Sequence, residues 1–142
     1  VLGMHDVSYD NEGIITATTI GRSILREIQA RSFDERTVNS FVSAPDSLTL
    51  SAFLGPEVGE VYPAFDDVDD FNGHVRTVGT DRLGNLYASV TVNYTTRALA
   101  GSVSSARTFL KAVNVNLSGT SPSGDTNPIF KRDIVVNSIV AY

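Results

Sequence analysis

The chain has 142 residues, of which 42% are hydrophobic and 19% charged, and this composition predicts one folded domain over residues 1–142 rather than a disordered chain. Sixteen acidic residues against eleven basic ones give a formal net charge of −5, and no segment gathers Lys or Arg into a patch, so we expect no nucleic-acid partner. The absence of cysteine excludes disulfides, thiolate catalysis and Cys-ligated zinc.

The first predicted element is an amphipathic helix over about residues 9–33. One stripe of this segment carries apolar or small residues at intervals of three and four: Ile14, Ala17, Gly21, Ile24 and Ile28. The small members of the stripe would let the helix approach a sheet closely. We expect the helix to end near Phe33.

The segment 34–85 is predicted to be irregular, because prolines and glycines interrupt it throughout. Alternation of apolar and polar residues favours one short strand at Ser47–Leu54 and, more weakly, another at His74–Val78. A tight turn is predicted at Asp81–Asn85, where Gly84 can adopt a positive φ.

Residues 86–142 are predicted to form a β-meander. Apolar side chains alternate with polar ones in Leu86–Tyr94 and again from Phe109 to Leu117, as half-buried strands require. The last segment, Ile134–Tyr142, is apolar on both faces, which favours a central strand. The predicted fold class is therefore α+β, with a long N-terminal amphipathic helix packed on an antiparallel sheet.

The most distinctive motif is the acidic loop Phe65–Gly73, which places four carboxylates within five positions. Calcium takes several hard oxygen ligands from flexible loops, so a Ca²⁺ site is one interpretation. The candidate ligands are Asp66, Asp67, Asp69, Asp70 and Asn72. The spacing does not match an EF-hand. The alternative is that these Asp side chains accept backbone hydrogen bonds in turns while the apolar residues between them anchor the loop in the core.

The sequence has no pattern typical of an active site. It lacks a phosphate-binding glycine loop, an H-E-x-x-H helix and the G-x-S-x-G nucleophile elbow. A hydrolytic site using His74 and Asp70 is therefore the weakest of the alternatives. We predict that the protein is not an enzyme.

Two segments carry a resemblance to a known family. Ile14–Glu35 contains a helix end that leads into Phe33-Asp34-Glu35, and the acidic loop reads FDDVDDFNG. In this order the two segments resemble bacterial prepilin-type proteins, and among them the minor prepilins of the mannose-sensitive haemagglutinin pilus type. The resemblance covers the first half of the chain, while the C-terminal strands match only in their alternating character.

The resemblance implies a pilin-like head domain that acts by assembly, as a minor pilin or pseudopilin-like structural subunit of a type IV pilus-like filament. Its expected place is the bacterial cell envelope, on the periplasmic or extracellular face, with other pilin-like subunits as partners. Family members are held in the inner membrane by an N-terminal apolar helix of about 20 residues. No such run occurs in this sequence, so we expect the helix over about 9–33 to continue an anchor that lies outside it.

Without that anchor the head is expected to be a monomer or weak dimer. The alternative function is a calcium-stabilised extracellular binding or adhesion module. The two functions are compatible, because a head domain could use a metal ion to hold a loop. In the alternative, the acidic loop would present a surface to a binding partner.

Overall fold

The long helix α1 spans Leu2–Gln29 in the computed structural model, which describes residues 2–99 and 102–142 and gives side chains from Asn11 onward. The helix therefore begins earlier than the predicted start near residue 9. The predicted end near Phe33 is wrong by one turn. The chain leaves the helix at this point because Ser32 forms a parallel bridge with Asp67 of the acidic loop.

Four strands form one antiparallel sheet. They are β1 (Val75–Thr80), β2 (Gly84–Tyr94), β3 (Leu110–Ser118) and β4 (Asp133–Ala141). Their spatial order is the same as their order along the chain, so each strand pairs with its sequence neighbours. The register places Val90 of β2 opposite Val115 of β3, which in turn lies opposite Val136 of β4. The α+β class and the helix-on-sheet arrangement are confirmed.

The helix lies against β3 and β4 through its small residues. Ala17 is fully buried, and a side chain added at Gly21 would place its Cβ only 2.7 Å from Cγ2 of Val136 and 3.1 Å from Cδ2 of Leu117. Contacts this short leave no room for a methyl group. The close approach of helix and sheet that the small-residue stripe predicts is therefore what the structure shows.

The prediction that the last strand is central is wrong, because β4 is an edge strand. Its inward residues Ile134, Val136 and Val140 are half-buried against the core. Its outward residues Val135 and Ile139 are exposed. Apolar character on both faces here reflects helix packing on one face and solvent on the other, rather than burial between two layers.

The irregular region also differs from its prediction. Residues of the predicted strand Ser47–Leu54 form two 3₁₀ turns, Pro45–Ser47 and Ser51–Phe53. The proline at the start of the first turn has no backbone N–H and its φ suits a helical turn, so local chemistry outweighs the alternating pattern. The weaker strand prediction corresponds to β1, and the turn before β2 is confirmed, with Gly84 at a φ of 72°.

The core has two parts. The larger lies between α1, the inward face of the sheet and the apolar side chains of the acidic loop. The smaller lies under the irregular segment and includes Phe33, Val42, Leu48, Leu54 and Tyr94. A short helix, α2 (Glu35–Val38), follows Phe33 in the chain. In the described part of the chain, no helix has both the length and the apolar character that a membrane span requires.

Candidate functional site

The acidic loop is held in place by its apolar residues. Phe65, Val68 and Phe71 are buried in the larger core. The backbone N–H of Val68 donates to the backbone oxygen of Ser32 at 2.9 Å, which ties the loop to the end of α1. Because the apolar residues point inward, the loop's backbone has little freedom, and the carboxylates between them are fixed in direction.

Asn72 positions the end of the loop. Its Nδ2 donates to the backbone oxygen of Leu54 at 3.0 Å, and its Oδ1 accepts from the backbone N–H of Val92 at 2.9 Å. Both polar atoms of the side chain therefore have partners within the protein. Among the predicted ligands, Asp66 is the one whose side chain is exposed.

Lys111 is the centre of a group that we call the lysine cage, formed with Phe33, Asp34, Asp69 and Tyr94. Lys111 of β3 lies directly opposite Tyr94 of β2 and is fully buried. Its Nζ donates to the backbone oxygen of Phe33 at 2.7 Å and to Oδ2 of Asp34 at 2.8 Å, and it lies 2.5 Å from Oδ1 of Asp69. Two of the three N–H donors of the ammonium group are therefore used in hydrogen bonds, and the contact with Asp69 is an ion pair.

Asp34 is the better satisfied carboxylate of the cage. It caps α2 by accepting from the backbone N–H of Arg36 at 3.0 Å and also accepts from the Thr49 hydroxyl at 3.0 Å, while the Tyr94 hydroxyl lies 3.1 Å from its Oδ2. Burial alone would raise the pKa of Asp34. The hydrogen bond and the charge of Lys111 outweigh that effect and lower the pKa to about 2.

Asp69 is less well compensated. Neither of its carboxylate oxygens accepts a hydrogen bond from the described residues, and Oδ1 has only the ion-pair contact with Nζ of Lys111. Burial raises the pKa of Asp69 to about 7, against the charge of Lys111. The lysine cage is nevertheless a closed group, because its one cation contacts both of its carboxylates.

A second group of carboxylates, which we call the open cluster, lies beside the cage. Its members come from α2, from the segment after it and from the acidic loop: Glu35, Glu57, Glu60, Asp66, Asp67 and Asp70. One carboxylate oxygen from each residue of a triad lies within 4.8 Å of the others. The triads are Glu35–Glu57–Asp67, Glu35–Glu60–Asp66 and Glu57–Glu60–Asp70. In the part of the chain that the structure describes, none of the six makes an ion pair.

The turn-capping alternative accounts for one oxygen of each buried member of the open cluster. Oδ1 of Asp67 accepts from the backbone N–H of Asp70 at 3.0 Å, and Oδ2 of Asp70 accepts from the backbone N–H groups of Asp66 and Asp67 at 2.9 and 3.2 Å. The other oxygens, Oδ2 of Asp67 and Oδ1 of Asp70, have no partner, although both residues are fully buried. Buried oxygens of this kind are costly, and the cluster could hold a metal ion.

The raised pKa values of two carboxylates in the open cluster reflect the absence of a nearby compensating positive charge. Burial, reinforced by the charges of Asp69 and Asp70, raises the pKa of Asp67 to about 9. Burial and a hydrogen bond with Glu60 raise the pKa of Glu57 to about 8. An ionised Glu57 leaves its Oε2 without a partner, whereas a protonated one can donate to Glu60. A bound cation would remove the need for that proton.

Several of these residues are not among the candidates from sequence. Lys111 has a visible signal, since it occupies an inward position of a strand between Phe109 and Val113, where a charged residue needs a partner. Glu57 and Glu60 have no such signal. They join the acidic loop only through the tertiary fold.

His74 is held among aromatic rings. Its ring centroid is 4.8 Å from that of Tyr62, and its Nε2 accepts from Nε of Arg76 at 3.2 Å. Arg76 also pairs with Glu27 of α1 at 3.1 Å. Burial lowers the pKa of His74, so the ring is mainly neutral at pH 7 and ties β1 to the helix through Arg76.

Comparison with family models, curated proteins and solved structures finds no match for this chain. The resemblance to prepilin-type proteins therefore stays a prediction. The class of fold is an α+β domain with an N-terminal helix on a four-stranded antiparallel sheet. Function has to be argued from this arrangement and from the two carboxylate groups.

Proposed function

We propose that the chain is the head domain of a structural subunit, minor pilin or pseudopilin-like, that assembles into a type IV pilus-like filament of the bacterial envelope. The observation that supports this most is α1. It is the first element of the fold, runs for 28 residues, and joins the sheet by the close packing at Gly21. A helix joined this tightly to its head can set the orientation of the head when the helix is held by neighbouring subunits.

Exposed apolar side chains on the irregular segment also support assembly. Phe41 is 83% exposed and Phe53 70% exposed, and Val58 and Val61 are exposed as well. Large apolar side chains grouped on one segment are typical of surfaces that contact other proteins. We therefore expect the irregular segment to contribute to the head surfaces that contact other pilin-like subunits.

The reading frame upstream of Val1 provides the first test. The proposal expects a prepilin peptidase site followed by an apolar helix of about 20 residues that continues into α1 and anchors the protein in the inner membrane. A frame without these features would overturn it.

The second test uses the full-length gene product in its own cells. We expect it in filaments sheared from the cell surface, and we expect the double variant Phe41→Ser/Phe53→Ser to be depleted from them. Asp81→Asn, in the exposed turn before β2, is the matched control and should assemble normally. Recovery of the wild-type protein only from the cytosol would contradict the proposal.

A second candidate function is a calcium-stabilised extracellular binding or adhesion module. The fully buried carboxylate oxygens of Asp67 and Asp70 that lack partners favour it. The two functions differ in one expectation: a binding module would bind a partner in a calcium-dependent way as the isolated head, without joining a filament. A pull-down of surface material with the purified head, in calcium and in chelator, distinguishes them.

We also propose that the chain acts without catalysis. A screen for esterase, phosphatase and glycosidase turnover should give no signal. Turnover that disappears in His74→Ala, the histidine of the weakest alternative, would overturn this.

A further inference from the structure

We propose that the open cluster is a calcium-binding site, with Glu57 as the ligand shared by its two most buried triads. Glu35 and Asp67 lie on one side of Glu57, and Glu60 and Asp70 on the other. This ligand set differs from the run of acidic residues in the loop alone. It does not depend on the filament role proposed above.

The donor set points to calcium. Every side chain in the triads offers a carboxylate oxygen, which disfavours zinc and copper, whose sites rely mainly on nitrogen and sulfur ligands. Magnesium usually keeps several waters and takes one or two carboxylates, whereas calcium accepts six to eight oxygens from flexible loops. Carboxylates from three separate segments of the chain match the calcium pattern.

The unpartnered oxygens of Asp67 and Asp70 belong to carboxyl groups that the backbone holds in a fixed orientation. Asp67 and Asp70 each use one oxygen to accept backbone N–H groups, which fixes the carboxyl group in place. Val68 and Phe71, next to them in the chain, are fully buried and anchor the same backbone. The second oxygen of each carboxylate therefore stays inside the protein, where a cation would supply the missing partner.

The protein's own cations do not fill this role. Lys111 is buried, but its Nζ is engaged by hydrogen bonds to Phe33 and Asp34 and by the ion pair with Asp69. Among the side chains that the structure describes, those of residues 11–99 and 102–142, no ion pair joins a lysine, arginine or histidine to the open cluster. A cation from solution is the remaining source of charge.

The experiment uses the purified chain, freed of metal by a chelator that is then removed, and titrated calorimetrically with CaCl₂ and with MgCl₂. We expect a saturable signal with calcium and a weaker one with magnesium. The melting temperature should rise by about 9 °C when free calcium exceeds the dissociation constant by a hundredfold. No heat and no melting shift with calcium would overturn the proposal.

Three variants locate the site. Glu57→Gln keeps the shape and the backbone contact of Glu57, and it should weaken calcium binding at least tenfold and abolish most of the melting shift. Asp67→Asn tests the buried side of the site and should do the same. Asp81→Asn, an exposed carboxylate in the turn before β2, is the matched control and should bind as the wild type does.

Folding of each variant is checked by circular dichroism in chelator. Glu57→Gln should melt there no lower than the wild type, because the side-chain amide of Gln can donate to Glu60 as a protonated Glu57 does. A folded Glu57→Gln that binds calcium with wild-type affinity would contradict the assignment. If Asp67→Asn does not fold, Glu57→Gln alone decides, since its side chain is only half-buried.

Discussion

The lysine cage and the open cluster are built from neighbouring residues, yet they differ in how their charge is balanced. Asp34 belongs to the cage and Glu35 to the cluster, and the same division separates Asp69 from Asp70. In the cage, Lys111 contacts both carboxylates. In the cluster, none of the described residues provides a cation. Adjacent acidic residues therefore belong to two different groups, because neighbouring side chains leave the backbone in different directions.

The comparison also separates two kinds of energetic role. A buried ion pair is weak evidence of net stabilisation, but removing one partner leaves a buried charge that is strongly destabilising. The cage has this property because Lys111, Asp34 and Asp69 are all at most 1% exposed. The cluster, by contrast, should respond to what is added from solution.

The largest expected effect is on the cage. Lys111→Met leaves Asp34 and Asp69 buried without a cation and should lower the free energy of unfolding by about 3–5 kcal/mol. Lys131→Met is the matched control, because Lys131 is exposed, and should change it by less than about 0.5 kcal/mol. Urea unfolding measures both. A loss below about 1 kcal/mol for Lys111→Met would show that the cage is not what neutralises these carboxylates.

The next effect is the pH dependence of the metal-free protein. The pKa of Asp67 is about 9 and that of Glu57 about 8, both above their ordinary values, so their contribution to stability is complete below about pH 4 and is lost as the pH rises through 8 and 9. The pKa of Asp34 is about 2, so its contribution is lost only as the pH falls toward 2.

The melting temperature in chelator should therefore be highest near pH 4–5 and fall toward pH 9. Saturating calcium should flatten the alkaline side, because a bound cation stabilises the ionised carboxylates. Melting curves from pH 3 to pH 9, with and without calcium, check this. Parallel curves in the two conditions would contradict the claim that the open cluster, unlike the lysine cage, takes its cation from solution.

A smaller effect is expected within the cage at Tyr94. Its hydroxyl donates to the backbone oxygen of Thr49 at 2.7 Å and lies 3.1 Å from Oδ2 of Asp34. Tyr94→Phe should lower the free energy of unfolding by about 1–2 kcal/mol, because Lys111 still contacts Asp34. Urea unfolding in calcium and in chelator should give the same loss. A loss that depends on calcium would show that the two groups are coupled.

The smallest effect is expected at Asp66. Its side chain is exposed and belongs to one triad, with Glu35 and Glu60. Asp66→Asn should weaken calcium binding by about threefold or less, because exposed charges contribute under about 1 kcal/mol. Calorimetric titration measures it. A tenfold loss of calcium affinity would indicate that the ion lies near the exposed Asp66 rather than near Asp67 and Asp70.

The elements that depend on local pattern are the ones that sequence predicts. The apolar stripe of α1 and the alternation in β2 and β3 report which face is buried, and the structure confirms them. The edge position of β4 depends on which strands pair, and two 3₁₀ turns replace the strand predicted at Ser47–Leu54 because Pro45 favours a turn. The pairing order of the strands is not encoded in a window of a few residues, whereas the first turn depends on Pro45, which lies just before the alternating segment.

The residues of the candidate site divide in the same way, into those that a local sequence pattern indicates and those that only the fold brings together. The acidic loop is visible as a motif, and the inward position of Lys111 marks a buried charge. Glu57 and Glu60 lie outside the motif and join Asp67 and Asp70 only once the chain folds. The division of Asp69 from Asp70 depends on a single 3₁₀ turn, Asp69–Phe71, that directs adjacent side chains to different partners.

That division can be measured with one pair of variants. The calcium-induced rise in melting temperature is compared for the wild type, Asp69→Asn and Asp70→Asn. If the cage and the open cluster are separate, the rise is retained in Asp69→Asn and is strongly reduced in Asp70→Asn. Equal rises in the two variants, or no rise in the wild type, would contradict a cluster that takes its cation from solution beside a cage that carries its own.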